Sequence, residues 1–413
     1  MDTPRTELQS LLLEILSTRC RVDPASVARL NAQDWECLMT MARQHRLLPL
    51  LHWRLTREHA GLPVPGTVSE ELQGGFKFSA IRALLMQREL LLAHRLLENA
   101  GIPHTALKGA YLAFHAYPHP ALRPLRDLDI LVPKALALTA YQVLLEGGYT
   151  RIKEYRGDPK AALETRKHLP PLLSSSGQVA IELHARLTTP RETNEFDFAE
   201  EPGYWRRTTK RVVAGATLSY PSPADQLLHL IVHAIYDHQL DNGPLVLSDV
   251  AYLLETHPID WLLFWRLAKQ GSRTRGCLLV LKMAEHYFGE QPVTWPKDTG
   301  DFESMDTMVT VASLLSLRDY AARSDVTITS EALNHTTVSE KLRFLARRAF
   351  PNTKEIATQF PVSEDSPRIY LWYAVKWWRM LTVRLPGLVA SAMNCHTPSE
   401  ARQLAQLHRW LQQ

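Results

Sequence analysis

Asp127-Leu128-Asp129-Ile130-Leu131-Val132 is the segment that most constrains how this chain can fold. Its apolar residues predict a β-strand, and side chains alternate along a strand, so Asp127 and Asp129 share one face. One acid in an apolar strand is a mild oddity. Two on one face are expensive unless a cation sits between them, because a carboxylate removed from water favours its neutral form. A third acid occupies a similar strand-like context at Ile181-Glu182-Leu183-His184, and a glycine-containing turn, Leu107-Lys108-Gly109, lies upstream. Strand, glycine turn, paired carboxylates and a further strand carboxylate together fit a two-metal phosphoryl or nucleotidyl transfer site.

The bulk composition is compatible with such a site and excludes several alternatives. A chain of 413 residues is long enough for two or three domains. Its 45% hydrophobic and 22% charged content is that of a globular protein with sizeable cores. A net charge of +4 does not make a polyelectrolyte for nucleic acid. From Lys341 to Gln413, however, eleven Lys and Arg stand against four Asp and Glu, so the remainder is slightly acidic. The four cysteines, Cys20, Cys37, Cys277 and Cys395, form no CxxC pair, which argues against a disulfide framework or structural zinc. No secretory signal pattern opens the sequence, and no apolar run reaches the roughly eighteen residues of a spanning helix. A soluble, cytoplasmic protein without a membrane span is the expectation.

Apolar periodicity divides the chain into three parts. Leu8, Leu11, Leu12, Ile15 and Leu16, and later the series from Ile81 to Leu97, repeat at helical spacing, with Gly61 to Gly66 as a connector and Gly101 as a stop. Strands are predicted at Ile102–Leu107, Leu128–Val132 and Val179–Leu183, with helices at Ala110–Ala116 and Leu136–Leu145 and a closing hairpin at Arg211–Val213 and Thr217–Tyr220. Beyond Pro221-Ser222-Pro223 the pattern is again helical: Leu227–Tyr236, Val246–Leu254, Trp261–Lys269 and Cys277–Tyr287, then a loop-like stretch from Gln291 to Gly300. The fold class expected is α+β: a small mixed-sheet catalytic domain at 101–220, flanked by helical regions at 1–100 and 221–413.

Chemistry assigns roles within the central segment. Asp127 and Asp129 would bridge two Mg²⁺ (or Mn²⁺) ions, with Glu182 on the one that activates an acceptor hydroxyl. Gly109 would admit phosphate oxygens close to the backbone at a helix start, while Lys108 and one or both of Arg123 and Arg126 neutralise phosphate charge. Each residue taken singly has a bland reading: Asp127 as a strand-start residue, Asp129 and Glu182 as exposed strand positions, Lys108-Gly109 as an ordinary turn. The joint pattern favours the site.

Leu107-Lys108-Gly109, Arg126-Asp127-Leu128-Asp129-Ile130-Leu131-Val132 and Ile181-Glu182-Leu183-His184, in this order, resemble the nucleotidyltransferases of the DNA polymerase beta superfamily. More closely, the chain resembles the bacterial group of uncharacterised nucleotidyltransferases, from about residue 40 to 260. The likeness takes in Gln44-His45-Arg46-Leu47-Leu48-Pro49-Leu50-Leu51, His168-Leu169-Pro170-Pro171-Leu172 and the segment with His229 and His233. It implies a metal triad of Asp127, Asp129 and Glu182 and a nucleoside triphosphate donor, and leaves the acceptor open. The superfamily usually has Gly-Gly or Gly-Ser at the first turn; Lys108-Gly109-Ala110 departs from that and suits the closer group.

Two further groupings stand apart. His229 and His233 lie at i and i+4 near Asp225, Asp237 and His238, a spacing that could bind a transition metal but lacks the Glu of a His-Glu-x-x-His motif; a polar helix face packed on the catalytic domain is the simpler reading. Ile369 to Met393 interleaves Tyr370, Trp372, Tyr373, Trp377 and Trp378 with Lys376, Arg379 and Arg384, with Pro386 bending or ending the helix. A membrane-surface helix or a base-stacking face is conceivable there, and a core stripe is favoured.

The functional expectation is a metal-dependent enzyme transferring a nucleoside monophosphate from an NTP to a hydroxyl-type acceptor: a small molecule, a peptide or protein, or an RNA such as tRNA. The alternatives are a non-catalytic scaffold that binds nucleotide or a partner, and a phosphotransferase using the same site.

Overall fold

The computed structural model describes residues 3–18, 22–152, 157–189, 196–297, 304–335, 337–380, 382 and 397–412. Helices α1 (Arg5–Leu16), α2 (Pro24–Ala28), α3 (Ala32–Gln44), α4 (Leu48–Arg57) and α5 (Gly66–Asn99) come first. Strand β1 (Thr105–Ala106), α6 (Gly109–His115), β2 (Asp127–Leu131), α7 (Ala137–Glu146), β3 (Thr150–Arg151), α8 (Pro159–Thr165), β4 (Leu172–Leu173) and β5 (Ala180–His184) follow. A hairpin of β6 (Thr209–Val213) and β7 (Ala216–Tyr220) leads to α9 (Pro223–Val232), α10 (Leu245–Thr256), α11 (Trp261–Gln270), α12 (Thr274–Phe288) and α13 (Met305–Leu315). The last helices are α14 (Arg323–Asn334), α15 (Val338–Ala349), α16 (Thr353–Ala357), α17 (Ile369–Arg379) and α18 (Thr397–Gln412). The architecture is α+β, with a small mixed sheet of order β1-β2-β5-β4-β3 and helical regions at both ends.

The chain packs into two compact units, each drawn from three segments: 1–91, 106–128 and 202–320 in the first, 92–105, 129–201 and 321–413 in the second. In the first unit, Leu8, Leu12 and Ile15 of α1 share a core with Leu38, Met41 and Ala42 of α3 and Leu50 of α4. Each buried Leu, Ile or Met contributes roughly 1.5–3 kcal/mol of transfer free energy, so these short helices hold by packing more than by propensity. A capping box closes the start of α3, Asn31 accepting from the Asp34 amide and Asp34 from the Asn31 amide. Ser222 caps α9 in the same region, with Pro223 as its first helical residue.

In the second unit, β4 pairs antiparallel with both β3 and β5, with Leu172 opposite Ile181 and Leu173 opposite Ala180. Ile181 and Leu183 are buried on one face of β5, which sends Glu182 and His184 to the other. On β2, Leu128 and Ile130 are buried and alternate with the acids. The β5 neighbour continues past the strand end, where the Val132 amide donates to the His184 carbonyl at 3.0 Å. α8 approaches α16 so closely that a Cβ on Gly157 would lie 2.2 Å from the Thr358 carbonyl oxygen.

Several expectations need adjustment. The strand expected at Ile102–Leu107 is confined to Thr105–Ala106, while β3, β4 and α8 lie where the sequence suggested no element. Every residue of α9 from Ala224 to Val232 is buried, the polar Asp225, Gln226 and His229 among them. The aromatic segment is only half a core stripe. In α17, Trp372 stacks on Phe360 and the Trp377 indole donates to the Ala349 carbonyl, but Tyr370 and Trp378 are exposed. Arg384, Pro386 and Met393 lie outside the described residues. Among the described residues, no helix is long and apolar enough to cross a membrane.

Candidate active site

The second unit gathers a buried cluster of metal-ligating groups where β2 and β5 lie side by side. Asp129, Glu182 and His184 each place one ligand atom within 4.8 Å of the others. Among the described residues, no other three His, Cys, Asp or Glu side chains converge in this way. The His184 ring is fully buried, its Nε2 lying 2.7 Å from Asp129 Oδ1 and 3.6 Å from Glu182 Oε2. Its Nδ1 lies 3.2 Å from the Arg186 carbonyl oxygen and donates to it. His168 joins from the segment bridged to β5 at His184. Its Nδ1 donates to the Leu169 carbonyl at 2.9 Å, and its Nε2 lies 3.6 Å from Glu182 Oε2. Burial pushes the Glu182 carboxyl up, but His184 and His168 more than reverse this and hold it well below the usual carboxylate range.

The first unit holds an arginine-rich cluster. Arg123 Nε donates to Asp249 Oδ1 at 2.7 Å, and the Tyr117 hydroxyl donates to the same oxygen at 2.7 Å. Burial opposes the Arg123 charge, and Asp249 overcomes that effect, so the guanidinium is held protonated. Arg123 Nη1 donates to its neighbour's carbonyl at Pro124 and lies 3.5 Å from where a Cβ on Gly109 would be. Arg126 is exposed, and its carbonyl accepts from Arg82. Arg46 is pushed down to about 10 by burial and by the like charges of Arg123 and Arg126, with Asp127 and Asp249 pulling the other way.

Two non-glycine residues here have left-handed backbones. Arg46 follows the C-cap of α3 at φ 59°, where the Leu47 amide reaches back to the Ala42 carbonyl at 2.8 Å. That is the position at which helices most often place glycine. Lys108 caps α6 at φ 44° and ψ −113°, a region almost reserved for glycine, and its carbonyl accepts from Gln226 Nε2 at 3.0 Å. Strain of this kind collects at functional positions because the surrounding structure must enforce it.

Of the residues singled out from sequence, Asp129 and Glu182 therefore meet within the second unit. Asp127 stands two residues before Asp129 at the start of β2, on the same strand face. Lys108, Gly109, Arg123 and Arg126 belong to the first unit with Arg46. Sequence reasoning did not identify Arg46, Tyr117, Gln226 and Asp249 as site-building residues. Asp249 did leave a signal, as a lone acid within the apolar run of α10. His229 and His233 sit with ring centroids 6.0 Å apart, and His233 lies 3.6 Å from Asp237.

Comparison with known proteins bears on the same residues. No curated protein matches the chain. A family model described as uncharacterised nucleotidyltransferase matches residues 31–289, a span that contains the Arg46 turn, the Lys108-Gly109 turn, β2, β5 and the Asp249 helix. With more than half its length so matched, the chain belongs to this family of uncharacterised nucleotidyltransferases.

Proposed function

We propose that this protein transfers a nucleoside monophosphate from an NTP to a hydroxyl-type acceptor of the small-molecule, peptide or protein, or RNA class. The observation that carries this reading is the convergence of Asp129, Glu182 and His184 on adjacent strands, with Asp127 at i−2, in a chain of this family. The donor set fits a divalent cation: two carboxylates and an imidazole in a buried place. Asp127, Asp129 and Glu182 are assigned as its ligands. A bound Mg²⁺ or Mn²⁺ supplies charge neutralisation on the triphosphate and lowers the pKa of the acceptor hydroxyl.

The remaining residues handle the phosphates. Lys108, Arg123 and Arg126, joined by Arg46, are assigned to the β- and γ-phosphates, whose charge grows as pyrophosphate leaves. Gly109 keeps the turn free of a Cβ. The acceptor oxygen attacks the α-phosphorus, the bond from that phosphorus to the bridging oxygen breaks, and pyrophosphate departs with the electron pair. Labelled ATP tests the reading: α-phosphate label should pass to the acceptor fraction and γ label should leave as pyrophosphate. Asp129→Asn should abolish the transfer while leaving the fold intact by circular dichroism. Transfer of γ label would establish phosphotransfer instead. Absence of Mg²⁺-dependent NTP binding by calorimetry in the folded wild type would favour a scaffold.

A further inference from the structure

Two histidines at the carboxylate cluster share one arrangement. In each, Nδ1 faces a backbone carbonyl oxygen, Arg186 for His184 and Leu169 for His168, and Nε2 faces carboxylate oxygen. A carbonyl oxygen only accepts, so each Nδ1 carries the ring proton. In a neutral imidazole this leaves Nε2 as a lone-pair donor. At His184, Nε2 lies 2.7 Å from Asp129 Oδ1 and 3.6 Å from Glu182 Oε2. One ligand atom from each of Asp129, Glu182 and His184 lies within 4.8 Å of the others, a spacing that one shared cation can occupy. Fixing the ring through the far nitrogen on a carbonyl is how proteins hold a metal-ligating histidine.

We infer that His184 is a metal ligand alongside Asp129 and Glu182, and that the site selects a first-row transition ion such as Mn²⁺ over Mg²⁺. Mg²⁺ demands oxygen ligands and rarely takes imidazole, whereas an imidazole among carboxylates suits the first-row divalent ions. His168 is a positioning residue, whose Nε2 lies 3.6 Å from Glu182 Oε2. This deepens the nucleotidyl-transfer reading by naming the ion and rests on the same carboxylates.

The test uses the full chain stripped of metal with a chelator and titrated with Mn²⁺, followed by electron paramagnetic resonance. Pulsed measurements detect ¹⁴N directly bonded to the ion. The expected result is one tight Mn²⁺ site with a ¹⁴N signal, which Mg²⁺ displaces only at about tenfold or greater excess. In His184→Gln the ¹⁴N signal should vanish and Mn²⁺ affinity fall by about 10- to 100-fold, and His168→Gln should weaken affinity while keeping the signal. Mn²⁺ bound without ¹⁴N, equal competition by Mg²⁺, or no Mn²⁺ binding would each overturn the inference. If His184→Gln does not fold, the wild-type spectrum decides alone. The outcomes also separate the two readings. Mg²⁺-dependent NTP transfer without a ¹⁴N signal removes the histidine ligand and keeps the nucleotidyltransferase. Nitrogen-ligated Mn²⁺ in a protein that binds no NTP does the reverse.

Discussion

The two units solve the problem of a buried carboxylate in opposite ways. In the first, Asp249 meets the guanidinium of Arg123 at 2.7 Å, and Asp225 meets both Arg207 Nε and Nη2 at 2.6 and 2.7 Å. A guanidinium cannot lose its charge within protein conditions, so the positive partner in each of these pairs is fixed. In the second, Asp129 and Glu182 meet imidazoles. An imidazole can offer a lone pair as readily as a proton, so the charge of the partner in this pairing is not fixed.

The largest test of this contrast is a matched pair of substitutions read by chemical denaturation. Asp249→Asn leaves Arg123 charged and buried without its counter-ion, which should cost about 3–5 kcal/mol of stability. Asp129→Asn removes a charge from a site whose geometry serves binding, so stability should stay within about 0.5 kcal/mol or rise, while metal binding is lost. Equal losses from both would show that the Asp129 cluster is as structural as the Asp249 pair.

The halves of this contrast differ in how legible they were from sequence. Asp129 and Glu182 could be read because each falls at period two between buried apolar residues, on a strand face where paired carboxylates are costly without a cation. The elements bearing them, β2 and β5, fell within a residue or two of expectation, as did α7, α10 and α11. β3 and β4 have two residues each, too short for any period to declare itself. The partners of the arginine cluster were hidden for another reason. Asp249 lies 126 residues from Arg123, and Gln226 lies 118 from Lys108, so their pairing exists only in the folded chain. The left-handed backbones of Arg46 and Lys108 were invisible because local preference argues against them and tertiary structure imposes them.

Gly109→Ala sharpens the comparison from the arginine side. A Cβ there would stand 2.6 Å from Leu125 Cδ2, a buried side chain that flanks the Arg123 segment. Overpacking of this kind should cost about 1–3 kcal/mol in thermal or denaturant unfolding and should weaken NTP binding by shifting Arg123. Mn²⁺ affinity without nucleotide, to which Asp129, Glu182 and His184 contribute, should not change. A loss of Mn²⁺ affinity equal to that for NTP would mean that the two clusters are not independent.

Arg46 gives the smallest effect and the most informative one, because it breaks the rule that arginines here are closed by acids. It stands among Arg123 and Arg126, is pushed down to about 10 by burial and by their charge, and takes a backbone at φ 59°. Both features cost stability, and neither is needed to end α3, since glycine ends helices in that conformation without a Cβ penalty. Arg46→Gly should therefore stabilise the protein by about 1 kcal/mol, as relief of a left-handed non-glycine residue. If the arginine is retained for phosphate, the same substitution should lower NTP affinity by about tenfold, the scale of one charge-assisted contact. Greater stability with unchanged NTP binding would strip Arg46 of its assigned role and leave the strain at that turn without a function. Greater stability with weakened binding would identify a residue held in place against the fold's own preference, as expected where an anion must be gripped.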